Sequence, residues 1–213
     1  MQIREFTESD RAELHALAPI VGEGSPTASL WGHPESEAAI YLDPYLDHEP
    51  ESVFVAVDDD GRITGYLVGA VNSATFPSEE ARMTEAIRRY RLVLRRGPAL
   101  FFARAVADTV AARLRRRELA GEYTDPAYPA HLHINLAPAA RGTGAADALI
   151  HRFLDHARTS GAPGCYLQTL TENTRAVAFF TRVGFAPVDR PAEVPGLRYQ
   201  GRRVHQQTMV RSC

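Results

Sequence analysis

Lysine is missing from this 213-residue sequence, in which all 24 basic residues are arginine. A P-loop, whose glycine run ends in Lys followed by Ser or Thr, is thereby excluded. Cysteine is scarce: Cys165 and Cys213 make neither a disulfide framework nor a zinc site. Cys165 opens an apolar, strand-like run and reads as a small buried residue. No apolar run approaches the roughly 18 residues of a membrane-spanning helix, and residues 1–5 lack the apolar region of a secretory leader. A surplus of charge is also missing. A formal charge of −2 gives no electrostatic reason to expect nucleic acid or an anionic membrane as partner. The expectation from these absences is a reduced, cytoplasmic protein.

What is present alternates between strand and helix patterns. Residues 1–6 alternate as a short strand, and Thr7-Glu8-Ser9-Asp10 supplies N-cap chemistry for a helix behind it. Glycines and prolines over 22–35 predict a loop, and a helix follows over 35–46, its end blurred by Pro44 and Pro50. Residues 53–57 and 62–71 form a hairpin around Asp58-Asp59-Asp60-Gly61. Those acids mark a solvated turn, because three consecutive side chains at a hairpin tip cannot all face one ion. Over 77–121 the spacing predicts two helices broken at Gly97-Pro98. Their apolar stripes are Met83, Ile87, Tyr90 and Leu94 in the first, and Phe102, Val106 and Val110 in the second. Strands follow at 131–136 and 166–170, helices at 145–160 and 173–183, and a final strand pair at 185–188 and 204–210 around a Pro/Gly loop.

Arg141-Gly142-Thr143-Gly144-Ala145-Ala146 lies between a strand and a helix. Its N–H groups are the unpaired donors of a helix N-terminus, and its glycines leave room for a ligand beside the backbone. By itself the pattern fits either a pyrophosphate cradle or a turn that needs glycine. The dinucleotide fingerprint would require glycine where Asp147 stands.

The run from Leu136 to Ala146 resembles the acetyl-CoA motif of the GNAT acetyltransferases, Arg/Gln-x-x-Gly-x-Gly/Ala. Asn173-Thr174-Arg175-Ala176-Val177-Ala178-Phe179-Phe180-Thr181-Arg182-Val183-Gly184-Phe185 resembles the family's Asn-x-x-Ala-x-x-Phe-Tyr-x-x-x-Gly-Phe helix, and residues 3–10 its first strand and helix start. A narrower likeness joins Tyr41-Leu42-Asp43-Pro44-Tyr45-Leu46 and Gly65-Tyr66-Leu67-Val68-Gly69. These segments, with the helical insertion, look like the acetyltransferase-like domain of O-GlcNAcase and its bacterial stand-alone relatives. The resemblance implies one α/β (α+β) domain over 1–213 with an insertion at about 77–121. The GNAT fold has a mixed, twisted central sheet of six to seven strands, helices on both faces and, here, an inserted helical pair.

It also implies acetyl-CoA as co-substrate, no metal, and direct transfer of an acetyl group to a primary amine of a small molecule or peptide, with a homodimer as one possible assembly. The other reading is a non-catalytic acyl-CoA-binding or protein-interaction module. The family pattern assigns Asn135, Leu136 and Ala137 to the pantetheine arm through main-chain groups. It assigns residues 141–146 to the pyrophosphate, and Asn173, Phe179 and Phe180 to the cofactor as well. Asn173 equally suits a helix N-cap.

Alternation puts His131, His133 and Asn135 on one strand face and Leu132, Ile134 and Leu136 on the other. A similar His-x-His pair in arylalkylamine N-acetyltransferases implies His133 as base and His131 as its helper; two half-buried structural histidines are the alternative. Where the family usually has tyrosine to protonate the thiolate, Phe180 has no proton to give. Water or another tyrosine serves instead, the thiolate leaves unaided, or turnover is inefficient. Asp43, Asp47, Glu49 and Glu51 suit either an acidic acceptor groove or a solvated loop.

Overall fold

The computed structural model describes residues 1–21 and 30–213. The expected loop over 22–35 falls outside them up to residue 29; residues 30–33 are irregular and a helix starts at Pro34. Eight strands form a single mixed sheet: β1 (Gln2–Glu5), β2 (Phe54–Val57), β3 (Ile63–Ala70), β4 (Ala130–Leu136), β5 (Gly164–Leu170), β6 (Ala186–Pro187), β7 (Ala192–Tyr199) and β8 (Arg202–Ser212). The order is β1-β2-β3-β4-β5-β8-β6, with β7 also paired to β8. Only β4 and β5 run parallel; every other pairing is antiparallel.

That is one strand more than expected. The extra one is β7, which occupies most of the supposed Pro/Gly loop at 190–202. Gly196 (φ 82°) bulges it, and the register slips between Glu193 and Arg198, so the period-2 signal is broken in the sequence.

The helices are α1 (Arg11–Val21), α2 (Pro34–Tyr41), α3 (Asp43–His48), α4 (Glu79–Arg89), α5 (Arg96–Leu114), α6 (Ala145–Thr159) and α7 (Thr174–Arg182). Alternation along β3 and β4 feeds two cores. Leu67 and Leu132 meet Leu149, Ile150 and Phe153 of α6 on one face, while Tyr66 and Val68 meet Leu14 and Tyr45 of α1 and α3 on the other. Each fully buried side chain of this size contributes roughly 1.5–3 kcal/mol. The expected helix at 35–46 is two helices, divided at Leu42 with Pro44 in the first turn of α3, where no N–H is missed.

The insertion differs from expectation in two respects. Its break lies at residues 90–95, with Arg91 left-handed (φ 51°), because Gly97-Pro98 sits inside the first turn of α5. Met83, Ile87, Tyr90 and Phe102 do pack into a small core around Trp31. Leu94, Val106 and Val110 instead lie exposed, with Leu100 and Leu114 beside the latter two on one face of α5. What fixes α5 is its opposite side. Asp108, buried, accepts the Gly196 N–H of β7 (2.9 Å) and pairs with Arg198 (2.8 Å) and Arg203 (3.2 Å).

Candidate functional site

β4 and β5 pair only at Ala130–Cys165 and His131–Tyr166, although they run on to Leu136 and Leu170. Beyond His131 the sheet opens. The Ala137 N–H donates to the Thr64 carbonyl (2.8 Å), and in this antiparallel register Asn135 and His133 also turn their main chain toward β3. The N–H and C=O groups of Ile134 and Leu136 therefore face the opening, whereas the Leu132 N–H still closes the last β4–β5 bridge. Of the three positions expected to offer main-chain groups, only Leu136 does so; Asn135 and Ala137 are spent on β3, and Ile134 takes their place. The period-2 rule contained this distinction, but fixing its phase required the strand partner.

At the end of the opening, residues 141–144 lead into α6. Gly142 (φ 80°) and Gly144 (φ 88°) are left-handed, and an added Cβ at either would meet nothing within 4 Å. Among the described residues, the N–H groups of Gly142, Thr143 and Gly144 donate to no acceptor. Free donors at the positive end of a helix dipole suit an anion. The Thr143 hydroxyl donates back to the Ala140 carbonyl (2.7 Å), and Ala145, fully buried, lets α6 start against the sheet, with half-buried Ala146 behind it. The Arg141 guanidinium donates to the Val21 carbonyl at the end of α1 (3.1 Å). Asp147 is forked by Arg182 (2.7 and 3.0 Å), which holds its carboxylate below the ordinary range and ties α6 to α7.

On α7, Asn173 is the N-cap: its side chain accepts the Ala176 N–H (3.2 Å). Phe180 is only 7% exposed, packed against Phe179 and Phe185 in the α6-side core, whereas Phe179 is partly open and carries Arg182 over its ring. Phe180 thus underlies the site as packing.

The two histidines differ in their surroundings. The Ser73 hydroxyl donates to the Pro129 carbonyl (2.8 Å), so its oxygen must accept from Nδ1–H of His131 (2.7 Å). That fixes the tautomer: Nε2 keeps its lone pair and accepts the Tyr45 hydroxyl (2.9 Å). With both nitrogens occupied and ring centroids 6.1 Å apart, His131 does not hydrogen-bond His133 as a helper would. Burial pulls the His131 pKa down to about 3, with His133 and Arg82 adding to the effect. His133 is half-buried and its ring nitrogens have no partner among the described residues. Burial, then the charge of Arg82, lowers its pKa to about 4. It is neutral at physiological pH, with Tyr45 edge-on at 5.7 Å.

Tyr45 and Arg82 were not singled out as site residues by their sequence context. Arg82 of α4 lies 5.3 Å from the Phe76 ring centroid and 5.7 Å from that of Tyr45. Two acids of the expected groove are engaged, Asp47 by Arg11 (2.9 Å) and Glu49 by Ser52 (3.2 Å), while the buried Oδ1 of Asp43, 2.7 Å from His15 Nε2, has no hydrogen-bond partner among the described residues. No cluster of three potential metal ligands occurs among the described residues.

A family model described as the acetyltransferase (GNAT) family matches residues 23–185. Among solved structures, SsHAT is 23% identical with a TM-score of 0.62, covering 99% of this chain and 97% of its own. A GNAT superfamily phosphinothricin acetyltransferase from Sinorhizobium meliloti, in complex with AcCoA, is 16% identical with a TM-score of 0.60 (99% and 87%). A ribosomal-protein-alanine N-acetyltransferase from Brucella melitensis is 15% identical with a TM-score of 0.60, covering both chains fully.

Proposed function

The chain belongs to the GNAT acetyltransferase family, and on that premise we propose that it transfers an acetyl group from acetyl-CoA to a primary amine. The observation that carries this reading is the parting of β4 from β5 beside three free N–H donors at the start of α6. Pantetheine would lie along Ile134 and Leu136, and the pyrophosphate against residues 141–146. The AcCoA complex of the Sinorhizobium meliloti relative supports the choice of ligand. The likeness to the O-GlcNAcase acetyltransferase-like domain, a single functional domain and a cytoplasmic setting belong to the same proposal. The setting rests on two unpaired cysteines.

His133 takes the part of base, in a form its low pKa dictates. It cannot strip an ordinary ammonium ion, whose pKa lies several units higher. It can accept a hydrogen bond from a neutral amine and take the proton once the nitrogen has bonded to the acyl carbon and become acidic. The C–S bond then breaks with its electron pair leaving on sulfur. With Phe180 buried and protonless, the thiolate departs unaided, which a thiol pKa near 8.5 permits. The pH profile follows from this. We expect kcat/KM to rise about tenfold per pH unit up to the acceptor's own pKa, with no inflection near the ordinary histidine value of about 6.5. An inflection there would mean that the base titrates as an ordinary histidine and that burial does not lower the pKa of His133 in the working enzyme.

The direct test is calorimetric titration with acetyl-CoA, paired with thiol release over a panel of amines. Binding without turnover on any amine would favour a non-catalytic acyl-CoA module, the reading that Phe180 supports; no binding would end both. Gly144→Val probes the loop. A left-handed φ costs a side-chain-bearing residue about 1–2 kcal/mol, and the branched methyl groups enter the space beside the free donors. Acetyl-CoA affinity should fall about tenfold or more, and an unchanged Kd would take the loop out of the site.

A further inference from the structure

α5 is a surface helix turned inside out. A helix at the rim of a globular domain normally buries its apolar stripe and shows charge to water. Here the buried side carries Asp108 and its bonds to Gly196, Arg198 and Arg203, while every exposed residue of α5 is apolar, glycine or arginine. Leu100, Ala103, Ala107, Val110 and Leu114 recur at alternating spacings of three and four, which sets them in one exposed stripe about 20 Å long. Val106 lies at its margin. At about 3.6 residues per turn, Arg104 falls on one flank of the stripe, Arg113 on the other, and Arg96 at its N-terminal end; all three are exposed.

The formal charge of −2 conceals a segregation along the chain. Residues 88–117 hold ten of the 24 arginines and a single acid, the buried Asp108. The remainder of the chain is accordingly acidic. Among the described residues, six of the nine exposed large hydrophobic side chains lie in the same segment, so cationic and apolar surface coincide.

That coincidence selects among the surfaces able to cover α5. A second copy of the chain would shelter the stripe but press two arginine-rich faces together. A nucleic acid would take the arginines and leave the leucines and valines in water. An anionic bilayer satisfies both, because apolar side chains enter the acyl boundary while guanidiniums on either flank reach up to the phosphates. No described helix is long and apolar enough to cross a membrane, so the contact lies in the interfacial plane.

We propose that α5 docks the protein on anionic phospholipid bilayers, with Leu100, Val110 and Leu114 immersed and Arg96, Arg104 and Arg113 at the headgroups. The acidic remainder of the chain is repelled by the same surface, which turns α5 toward it. Attachment of this kind is independent of acyl transfer and is read without turnover.

The test is co-sedimentation with vesicles of phosphatidylcholine alone and with vesicles in which about a third of the lipid is phosphatidylglycerol. Binding should be about tenfold or more tighter to the anionic vesicles, and should fall toward the neutral level in about 0.5 M salt. Val110→Glu should weaken it about tenfold or more, with Tm unchanged because that side chain is exposed and Asp108 holds the opposite face. Leu114→Glu, at the helix end, should act alike, so that a folding defect in one variant is not mistaken for lost binding. Arg96→Gln combined with Arg113→Gln should weaken binding roughly 10- to 30-fold, at about fivefold per arginine. No binding, equal binding to both vesicles, or binding that both glutamate variants leave intact would overturn the proposal. So would a dimer in sedimentation velocity that Val110→Glu dissociates, without vesicle binding, which would assign the stripe to a second copy. Binding to duplex DNA that Val110→Glu leaves intact, again without vesicle binding, would assign the arginines to nucleic acid.

Discussion

Replacing His133 with alanine is expected to lower kcat by about 10²- to 10³-fold while acetyl-CoA binds as tightly as before. Of the two imidazoles on β4, that of His133 is the one whose nitrogens have no partner among the described residues, and it stands next to Ile134, whose main-chain groups are proposed to hold the pantetheine arm. Removing it takes away a proton acceptor without touching the free donors at 142–144. Stopped-flow thiol release and calorimetric titration separate the two effects. A fall in affinity matching the fall in rate would mean that His133 shapes the cofactor channel and does not accept the proton. His131→Ala should behave differently. It orphans the Tyr45 hydroxyl and Ser73 in a buried setting, so its main signature is a lower Tm.

The second large effect concerns stability. Asp108→Ala strips a buried carboxylate from Arg198, Arg203 and the Gly196 N–H. Two guanidiniums are left without their shared acid, and a cost of about 3 kcal/mol is expected, or roughly 6–12 °C in Tm for a chain of this size. The hydrogen bond from Arg198 holds the Asp108 pKa below its ordinary value. The carboxylate's contribution is therefore complete above about pH 4 and drains away as pH falls through the lowered pKa. The gap in Tm between the two proteins should accordingly narrow at acidic pH. A gap that stays constant down to pH 3 would mean that packing, not the ion pairs, is what Asp108 supplies.

The elements were largely legible because their signals are local. Gly184 after α7, Asn173 before it, and the Leu149–Phe153–Ala157 spacing of α6 name helix ends and faces without knowledge of neighbours. The same holds for residues 141–146, whose glycines announce a left-handed turn. What escaped depends on contacts between distant segments. β7 was hidden because its bulge breaks the alternation. Val106 and Val110 fit a helical stripe, but periodicity cannot say whether a stripe meets anything, and here Asp108 and its arginines hold the other side of α5. Arg82 looked like one of many arginines on a solvated helix. Only the packing of α4 over α2 brings it to the Tyr45 ring at the start of α3.

The parting of β4 from β5 also has a cost for the empty protein. A strand in the middle of a sheet normally has neighbours on both sides, yet here the stretch beyond Leu132 has one flank unpaired, as the outermost strand of a sheet does. Such a flank is a template for any extended chain that comes near, and it sits where charged gatekeepers cannot be placed without blocking the channel. The unliganded protein should be the form that aggregates on concentration or heating. A ligand whose amides lie along that flank would act as the missing neighbour, raising solubility together with stability.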